Sequence, residues 1–260
     1  MIGSKRKYKN KNIIYTAFNY DVTPAFLSAH LYSLKQYSRE IGCELQIISK
    51  STNHLNKRFI KQLAYEHFIG TEAKQMLWVD TDTIINPKSP DVFQVYGDAV
   101  FAARKINDNG WSSQDEHSSL QNFITLFNKD KSDYDFQKIK KQYFTAGVML
   151  ISRAIAEDFL YHYKQCHDRL KKISRSGSSI QIINHLKGQC NGIFRDEFVT
   201  NYIVSKLTIP VTYITDRWNW SLGTFNNPRA NFRNDAYITH FDVSSDDKEQ
   251  IIFDYIIDLL

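Results

Sequence analysis

Two aspartates with one residue between them, Asp80 and Asp82, follow directly on the apolar run Met76-Leu77-Trp78-Val79. In an extended segment alternate side chains share a face, so both carboxylates can address one point in space. At the mouth of a buried strand they repel each other and lose hydration, and a hard divalent cation relieves both costs. Mg²⁺ or Mn²⁺ suits oxygen ligands of this kind. The plainer alternative is a pair of solvated turn carboxylates, common where strands end. What favours the cation is the continuous apolar lead-in, the mark of a central strand buried on both faces.

The elements that must position these carboxylates follow from the pattern around them. Asn12 to Phe18 is β-branched and aromatic, a strand, and it gives way to a polar corner at Asn19-Tyr20-Asp21. Thr23 can cap a helix with Pro24 at its first position, and Leu27, Leu31, Leu34 and Tyr37 recur at helical spacing until Gly42. Glu44 to Ser49 is the next strand, and a second helix covers roughly Asn53 to Phe68, ending at Gly70 and carrying Lys57, Arg58 and Lys61. The order β-α-β-α-β predicts an α/β fold with a doubly wound, largely parallel sheet, in which ligands bind outside the carboxyl ends of the strands. Both the Asn19 to Asp21 corner and the Asp80/Asp82 pair fall at such ends.

Farther along, Ala99 to Ala103, Tyr143 to Ser152, Val211 to Ile214 and Ala236 to Phe241 read as strands. Helices are predicted from Arg153 to about Leu170 and from Arg195 to Leu207, and Ser174 to Ser179 reads as a flexible turn. Gly147, inside an apolar strand, marks a place where something approaches the backbone closely. Region 104–142, with its polar cluster around Trp111, is expected to be a variable loop and helix region over the site.

Composition bounds the whole. With 260 residues, 42% hydrophobic and 23% charged, the chain is ordinary globular material, and residues 1–260 are read as one domain with a basic flexible tail at 1–11. A net charge of +5 is too small for a dedicated nucleic-acid binder and suits an anionic small ligand such as a nucleotide. The three cysteines, Cys43, Cys166 and Cys190, are too far apart for a zinc knuckle and read as thiols of a reducing compartment. A soluble cytoplasmic protein with at most peripheral membrane contact is therefore expected. The last segment, from Ile251 to Leu260, reads as a terminal helix docked on the core.

Beyond single motifs, the chain resembles the GT-A glycosyltransferases, and within them glycosyltransferase family 8, the galactosyltransferase and glycogenin-like group. Ile13-Ile14-Tyr15-Thr16-Ala17 with the corner after it is similar to that family's uridine-binding strand and loop, and Trp78-Val79-Asp80-Thr81-Asp82 resembles its metal-binding strand. Phe144-Thr145-Ala146-Gly147-Val148, Asp196-Glu197-Phe198 with Asn201, Trp218-Asn219-Trp220, and Ile238-Thr239-His240-Phe241 resemble further family segments, in the family's order.

The resemblance implies transfer of a sugar from a nucleotide-diphosphate sugar, UDP-linked for preference, to a hydroxyl acceptor on a glycan, lipid-linked carrier or protein. It makes Asp80, Asp82 and His240 the ligands of Mn²⁺ or Mg²⁺. Thr16, Ala17, Asn19, Tyr20, Asp21, Arg58, Lys61, Asp80, Thr81, Thr145, Ala146, Gly147, Asn219 and Trp220 would line the nucleotide-sugar site, with Asp196 and Glu197 at the reacting sugar. Thr145 and Glu197 stand where that family has Asn and Gln, and Asp242-Val243-Ser244 follows His240-Phe241 where it has a Gly and then Lys-Pro.

Two other readings stand beside it. Asp80-Thr81-Asp82-Thr83 also matches a phosphatase of the haloacid dehalogenase type, with Asp80 as nucleophile and Lys187 and Asp246-Asp247 as its further groups. That type normally opens with its nucleophile strand, whereas here two strands and two helices come first. A catalytically silent sugar-nucleotide or glycan-binding module would keep most of the same residues. A sugar nucleotidyltransferase would want a glycine-rich phosphate loop after the first strand, and no glycine occurs from Lys5 to Glu40.

Overall fold

The computed structural model describes residues 11–18, 24–49, 60–106, 136–175, 196–222, 231–241, 250–251 and 254–255. Strand β1 (Ile13–Phe18), helix α1 (Pro24–Glu40), β2 (Glu44–Ser49), α2 (Lys61–Ile69) and β3 (Gln75–Val79) form the expected opening. Then follow β4 (Thr83–Ile85), the short α3 (Val92–Val95), β5 (Phe101–Lys105), α4 (Phe136–Gln142), β6 (Phe144–Ser152), α5 (Arg153–Arg175) and α6 (Asp196–Lys206). Strands β7 (Val211–Ile214), β8 (Trp220–Ser221) and β9 (Ile238–His240) complete the described order, with a 3₁₀ turn at Asp216–Trp218.

The main sheet has the order β2-β1-β3-β6-β5-β7. Its pairs are parallel except where β6 runs antiparallel between β3 and β5. That one reversed strand matters for the site. It brings the start of β6 beside the end of β3, with Val148 opposite Val79 and the Asp80 N–H donating to the Gly147 carbonyl at 2.8 Å.

Alternation along the central strands sorts the core into two layers, as the pleat requires. Ile14, Leu77, Val79, Val148 and Leu150 pack on Leu34 and Tyr37 of α1 and on Val92 and Phe93 of α3. Tyr15, Met76, Trp78, Met149 and Ile151 face the other way, onto Ala64, Tyr65 and Phe68 of α2, Phe159 and Tyr163 of α5, and Val199 and Ile203 of α6. Both faces of β3 are covered, and all five of its residues are buried. Its one polar member, Gln75, donates to the carbonyls of Ala99 and Tyr96.

A second sheet of order β4-β9-β8 was not foreseen, since Thr83-Ile84-Ile85 is too short to stand out as a strand. Its register sets Thr83 opposite His240. Phe26, Ile84, Leu222, Phe241, Ile251 and Tyr255 close a third apolar cluster behind it, so the described part of the last segment does dock on the body. Other departures are modest. The strand expected at Ala99 to Ala103 lies at Phe101–Lys105, and the helix expected to stop near Leu170 runs to Arg175, taking in two residues of the anticipated turn. Of the helix expected from Asn53, Lys61–Ile69 is observed within the described residues; Thr23, most of region 104–142 with Trp111, Lys187, Cys190 and Asp246-Asp247 lie outside them. No helix among the described residues is long and apolar enough to cross a membrane.

Candidate active site

Asp80, Asp82 and His240 converge where β3 ends and β4 pairs with β9. Each offers one ligand atom, and the three atoms lie within 4.8 Å of one another. The pairing of β4 with β9 is extended by the Phe241 N–H donating to the Asp82 carbonyl at 2.7 Å, which carries His240 across 158 residues of sequence to face Asp82. His240 Nε2 stands 3.0 Å from Asp82 Oδ1. Two carboxylates and an imidazole nitrogen around one point fit Mn²⁺ or Mg²⁺ by donor chemistry, and the nitrogen tilts the choice toward Mn²⁺.

Gly147 is the floor of this cluster. A Cβ there would lie 2.6 Å from His240 Cε1, 2.9 Å from its Nδ1 and 3.5 Å from Asp80 Oδ2. The close approach inferred from a lone glycine in an apolar strand is thus to the imidazole itself.

On the far side of Asp80 sits Lys61, the first residue of α2 and almost wholly buried. Its ammonium pairs with Asp80 Oδ1 at 3.2 Å, pairs with Asp196 Oδ2, donates to the Ala146 carbonyl at 2.7 Å and lies 5.3 Å from the Trp78 ring centre. A lysine at a helix N-terminus opposes the helix dipole, so its place reflects these partners and not the helix. Burial pushes the ammonium pKa down, but Asp196 and Asp80 outweigh it and hold the group charged. Burial raises the Asp80 carboxyl above the ordinary carboxylate range; Lys61 pulls it back, and Asp196 and Asp82 add to the rise. Lys61 therefore compensates only part of the negative charge collected here. The Trp78 Nε1–H also donates to Asp80 Oδ1 at 2.6 Å, so the side of Asp80 away from Gly147 is already occupied.

Asp196 and Glu197 open helix α6 beside the start of β6. Glu197 accepts from the Tyr143 hydroxyl at 2.7 Å and from the Ala146 N–H at 3.2 Å. Asn201, one turn later, clasps the same strand, accepting from Phe144 N–H and donating to the Phe144 carbonyl. Asp196, Glu197, Ala146, Gly147 and the Asp80/Asp82/His240 cluster consequently share one end of the sheet.

Other residues expected at the site have structural partners. The Thr16 hydroxyl is buried against His30 Nε2 at 2.9 Å, and the Ala17 carbonyl accepts from the Thr81 hydroxyl at 2.5 Å, a bond that ties the end of β1 to the Asp80–Asp82 corner. Burial lowers the His30 pKa to about 4, so the ring is neutral, bridging Thr16 to the Thr83 carbonyl at 2.7 Å. Asn219 is fully buried and joins Thr145 to His240. Trp220 donates to the Asn231 carbonyl, and the Arg233 guanidinium covers its ring at 4.5 Å. Asn19, Tyr20, Asp21 and Arg58 lie outside the described residues. Three roles escaped sequence reasoning: Lys61 as the buried clamp between two carboxylates, Trp78 as a donor to Asp80, and Tyr143 as a donor to Glu197. The i, i+2 spacing of Trp78 and Asp80 on one strand face was the only local signal for any of them.

No protein-family model matches the chain, and comparison with curated proteins gives no match. Solved structures do resemble it. A glycosyltransferase involved in the glycosylation of the major capsid of PBCV-1 superposes with a TM-score of 0.52 at 13% identity, over 96% of this chain and 99% of that one. The glycosyltransferase GlyE of Streptococcus pneumoniae TIGR4 gives a TM-score of 0.44 at 12% identity, over 96% of this chain and 62% of that one. At such identity the first likeness is one of fold: the chain has the mixed, mostly parallel sheet between helices of a glycosyltransferase, as its β-α-β-α-β opening and its motif order predicted.

Proposed function

We propose that this protein is a metal-dependent glycosyltransferase of the GT-A type that moves a sugar from a nucleotide-diphosphate sugar, UDP-linked for preference, to a hydroxyl acceptor. The observation that carries the reading is the Asp80, Asp82 and His240 cluster at the carboxyl end of β3, in a sheet whose fold is that of a glycosyltransferase. Asp80, Asp82 and His240 would hold Mn²⁺ or Mg²⁺. Such a cation, when bound, supplies Lewis-acid stabilisation of the charge that builds on a departing diphosphate.

The chain's own residues do the rest. Trp78 and Lys61 hold Asp80 Oδ1, so the remaining oxygen of Asp80 turns toward Gly147 and the cluster. Lys61 also ties Asp196 to the metal-binding end, and Tyr143 with the Ala146 N–H orients Glu197. Carboxylates aimed where positive charge develops at an anomeric carbon stabilise an oxocarbenium-like state and read sugar hydroxyls, the roles assigned here to Asp196 and Glu197. The Asn19 to Asp21 corner and Arg58 remain the proposed uridine and diphosphate contacts, and family 8 the proposed affiliation.

Thermal unfolding with UDP, GDP, CDP or ADP, each with Mn²⁺, Mg²⁺ or EDTA, tests the reading. Stabilisation by one nucleotide only when metal is present, lost in Asp80→Asn and Asp82→Asn, is the expected result, and at 100 times the dissociation constant it amounts to about 2.7 kcal/mol. Stabilisation by Mg²⁺ with a phosphate mimic and by no nucleotide would instead make Asp80 the nucleophile of a phosphatase.

A further inference from the structure

An imidazole binds a metal through one nitrogen only when that nitrogen carries no proton, and what the other nitrogen touches decides which tautomer is present. His240 is turned with Nε2 toward Asp82 and Nδ1 toward Asn219, whose Oδ1 is 3.2 Å away. Asn219 is neither a metal ligand nor exposed: none of its surface reaches solvent, which leaves its side chain no face for a donor molecule. Its backbone N–H closes the 3₁₀ turn on the Asp216 carbonyl at 3.1 Å, which aims the side chain inward from the start of β8. There Nδ2 donates to the Thr145 hydroxyl at 2.7 Å.

An amide has one accepting end and one donating end. With Nδ2 committed to Thr145, the end that meets His240 Nδ1 is the oxygen, and an oxygen there calls for a proton on Nδ1. Nε2 faces a carboxylate oxygen of Asp82 3.0 Å away, an ion-pair contact when Nε2 carries a proton as well. A divalent cation held by Asp80 and Asp82 would take the place of that Nε2 proton, while the proton on Nδ1 stays with Asn219. The opposite amide orientation would place a donor against Nδ1 and a proton on Nε2, which Asp82 would take, leaving no nitrogen ligand.

We propose that Asn219, oriented by Thr145, is the positioning residue that holds His240 with its proton on Nδ1 and so prepares Nε2 as the nitrogen ligand of a divalent cation shared with Asp80 and Asp82. This rests on the metal-site reading above. Thr145, Asn219 and His240 come from three elements, the start of β6, the turn before β8 and β9, and the ring lies close against Gly147. A hydrogen-bonding partner behind a ligating histidine changes metal affinity by about 10–100-fold.

The test is Mn²⁺ binding to the nucleotide-free protein, read by electron paramagnetic resonance, for the wild type, Asp82→Asn, Asn219→Leu and Asn219→Asp. Leucine and aspartate both remove the amide, but only aspartate keeps an acceptor for Nδ1. The expected pattern is binding abolished in Asp82→Asn, weakened about 10–100-fold in Asn219→Leu, and within about threefold of wild type in Asn219→Asp. Wild-type affinity in Asn219→Leu, or an equal loss in both Asn219 variants, overturns the proposal while leaving the metal site standing. If the wild type binds no Mn²⁺, or Asp82→Asn binds it equally well, the metal reading falls and the proposal with it. Melting in EDTA identifies a variant that has not folded. Should Asn219→Leu be one, Thr145→Val decides: a several-fold loss of affinity supports the relay, and unchanged affinity refutes it.

Discussion

Replacing Gly147 by alanine adds one methyl group at the point where β6 passes under His240. The new carbon would sit 2.6 Å from Cε1 and 2.9 Å from Nδ1 of the ring, where ordinary contact begins near 3.4 Å. The backbone has no objection to the change, since among the described residues Gly42 is the glycine with positive φ. Alanine in a strand also loses less chain entropy than glycine by about 0.5–1 kcal/mol. The ring must therefore give way, by about 0.8 Å, and it is wedged between Asn219 and Asp82. Metal–ligand distances tolerate only about 0.2 Å. A displacement roughly four times that tolerance removes His240 from the site, and we expect Mn²⁺ affinity to fall at least as far as loss of a supporting partner would take it, about 100-fold.

The assay follows from linkage. Mn²⁺ at a concentration that stabilises the wild type by about 2.7 kcal/mol should stabilise Gly147→Ala by only about 0.4 kcal/mol, because the same concentration is then close to the weakened dissociation constant. Melting in EDTA should change by no more than the about 1–3 kcal/mol of local overpacking. Equal Mn²⁺ stabilisation of both proteins would refute the assignment of His240 as a ligand. A collapse of the EDTA melting point together with intact Mn²⁺ binding would show that Gly147 serves packing alone.

Lys61→Met leaves Asp80 and Asp196 without their shared ammonium, and losing one partner of a buried ion pair costs about 3–5 kcal/mol. The lower end is expected, since both carboxylates keep some contact with solvent, and adding Asp196→Asn should recover part of the loss. Urea unfolding of the single and double variants checks both, and a wild-type midpoint for Lys61→Met would remove the clamp from the account. His30 gives a pH dependence. Burial lowers its pKa to about 4 from the ordinary 6.5, so the unfolded chain takes up a proton first as pH falls. Its contribution is complete above pH 6.5 and lost toward pH 4, amounting to about 3 kcal/mol. The stability difference between wild type and His30→Gln should shrink by about that amount between pH 7 and pH 4. A difference independent of pH would mean the ring is not held neutral.

Much of the site was legible locally. Asp80 and Asp82 announced themselves because a buried strand and the two-residue repeat of extended chain are both properties of adjacent residues. Gly147 stood out for the same reason, an interruption in an otherwise bulky apolar run. The partner it accommodates was not visible, for it comes from β9, and the strand that pairs with β9 is only three residues long. The resemblance implies Arg58 and Lys61 among the nucleotide-sugar contacts, with a solvated helix face as the plain alternative, whereas the structure buries Lys61 between two carboxylates. Helical spacing says which residues share a face and nothing of whether that face meets a ligand or a neighbouring acid.

The order of strands and helices, the apolar stripes that make them pack, and the residue types able to hold a cation are thus written along the chain, since each depends on neighbours within a few residues. Tertiary structure alone decided that β6 would enter the sheet antiparallel and bring Gly147 to the end of β3, and it is a small second sheet that brings His240 to Asp82, a grouping that only the resemblance had implied. Tertiary structure alone also decided that Asn219 would be buried against that imidazole. Those are outcomes of pairing between segments far apart in sequence, set by which buried polar groups could satisfy one another once the core had closed.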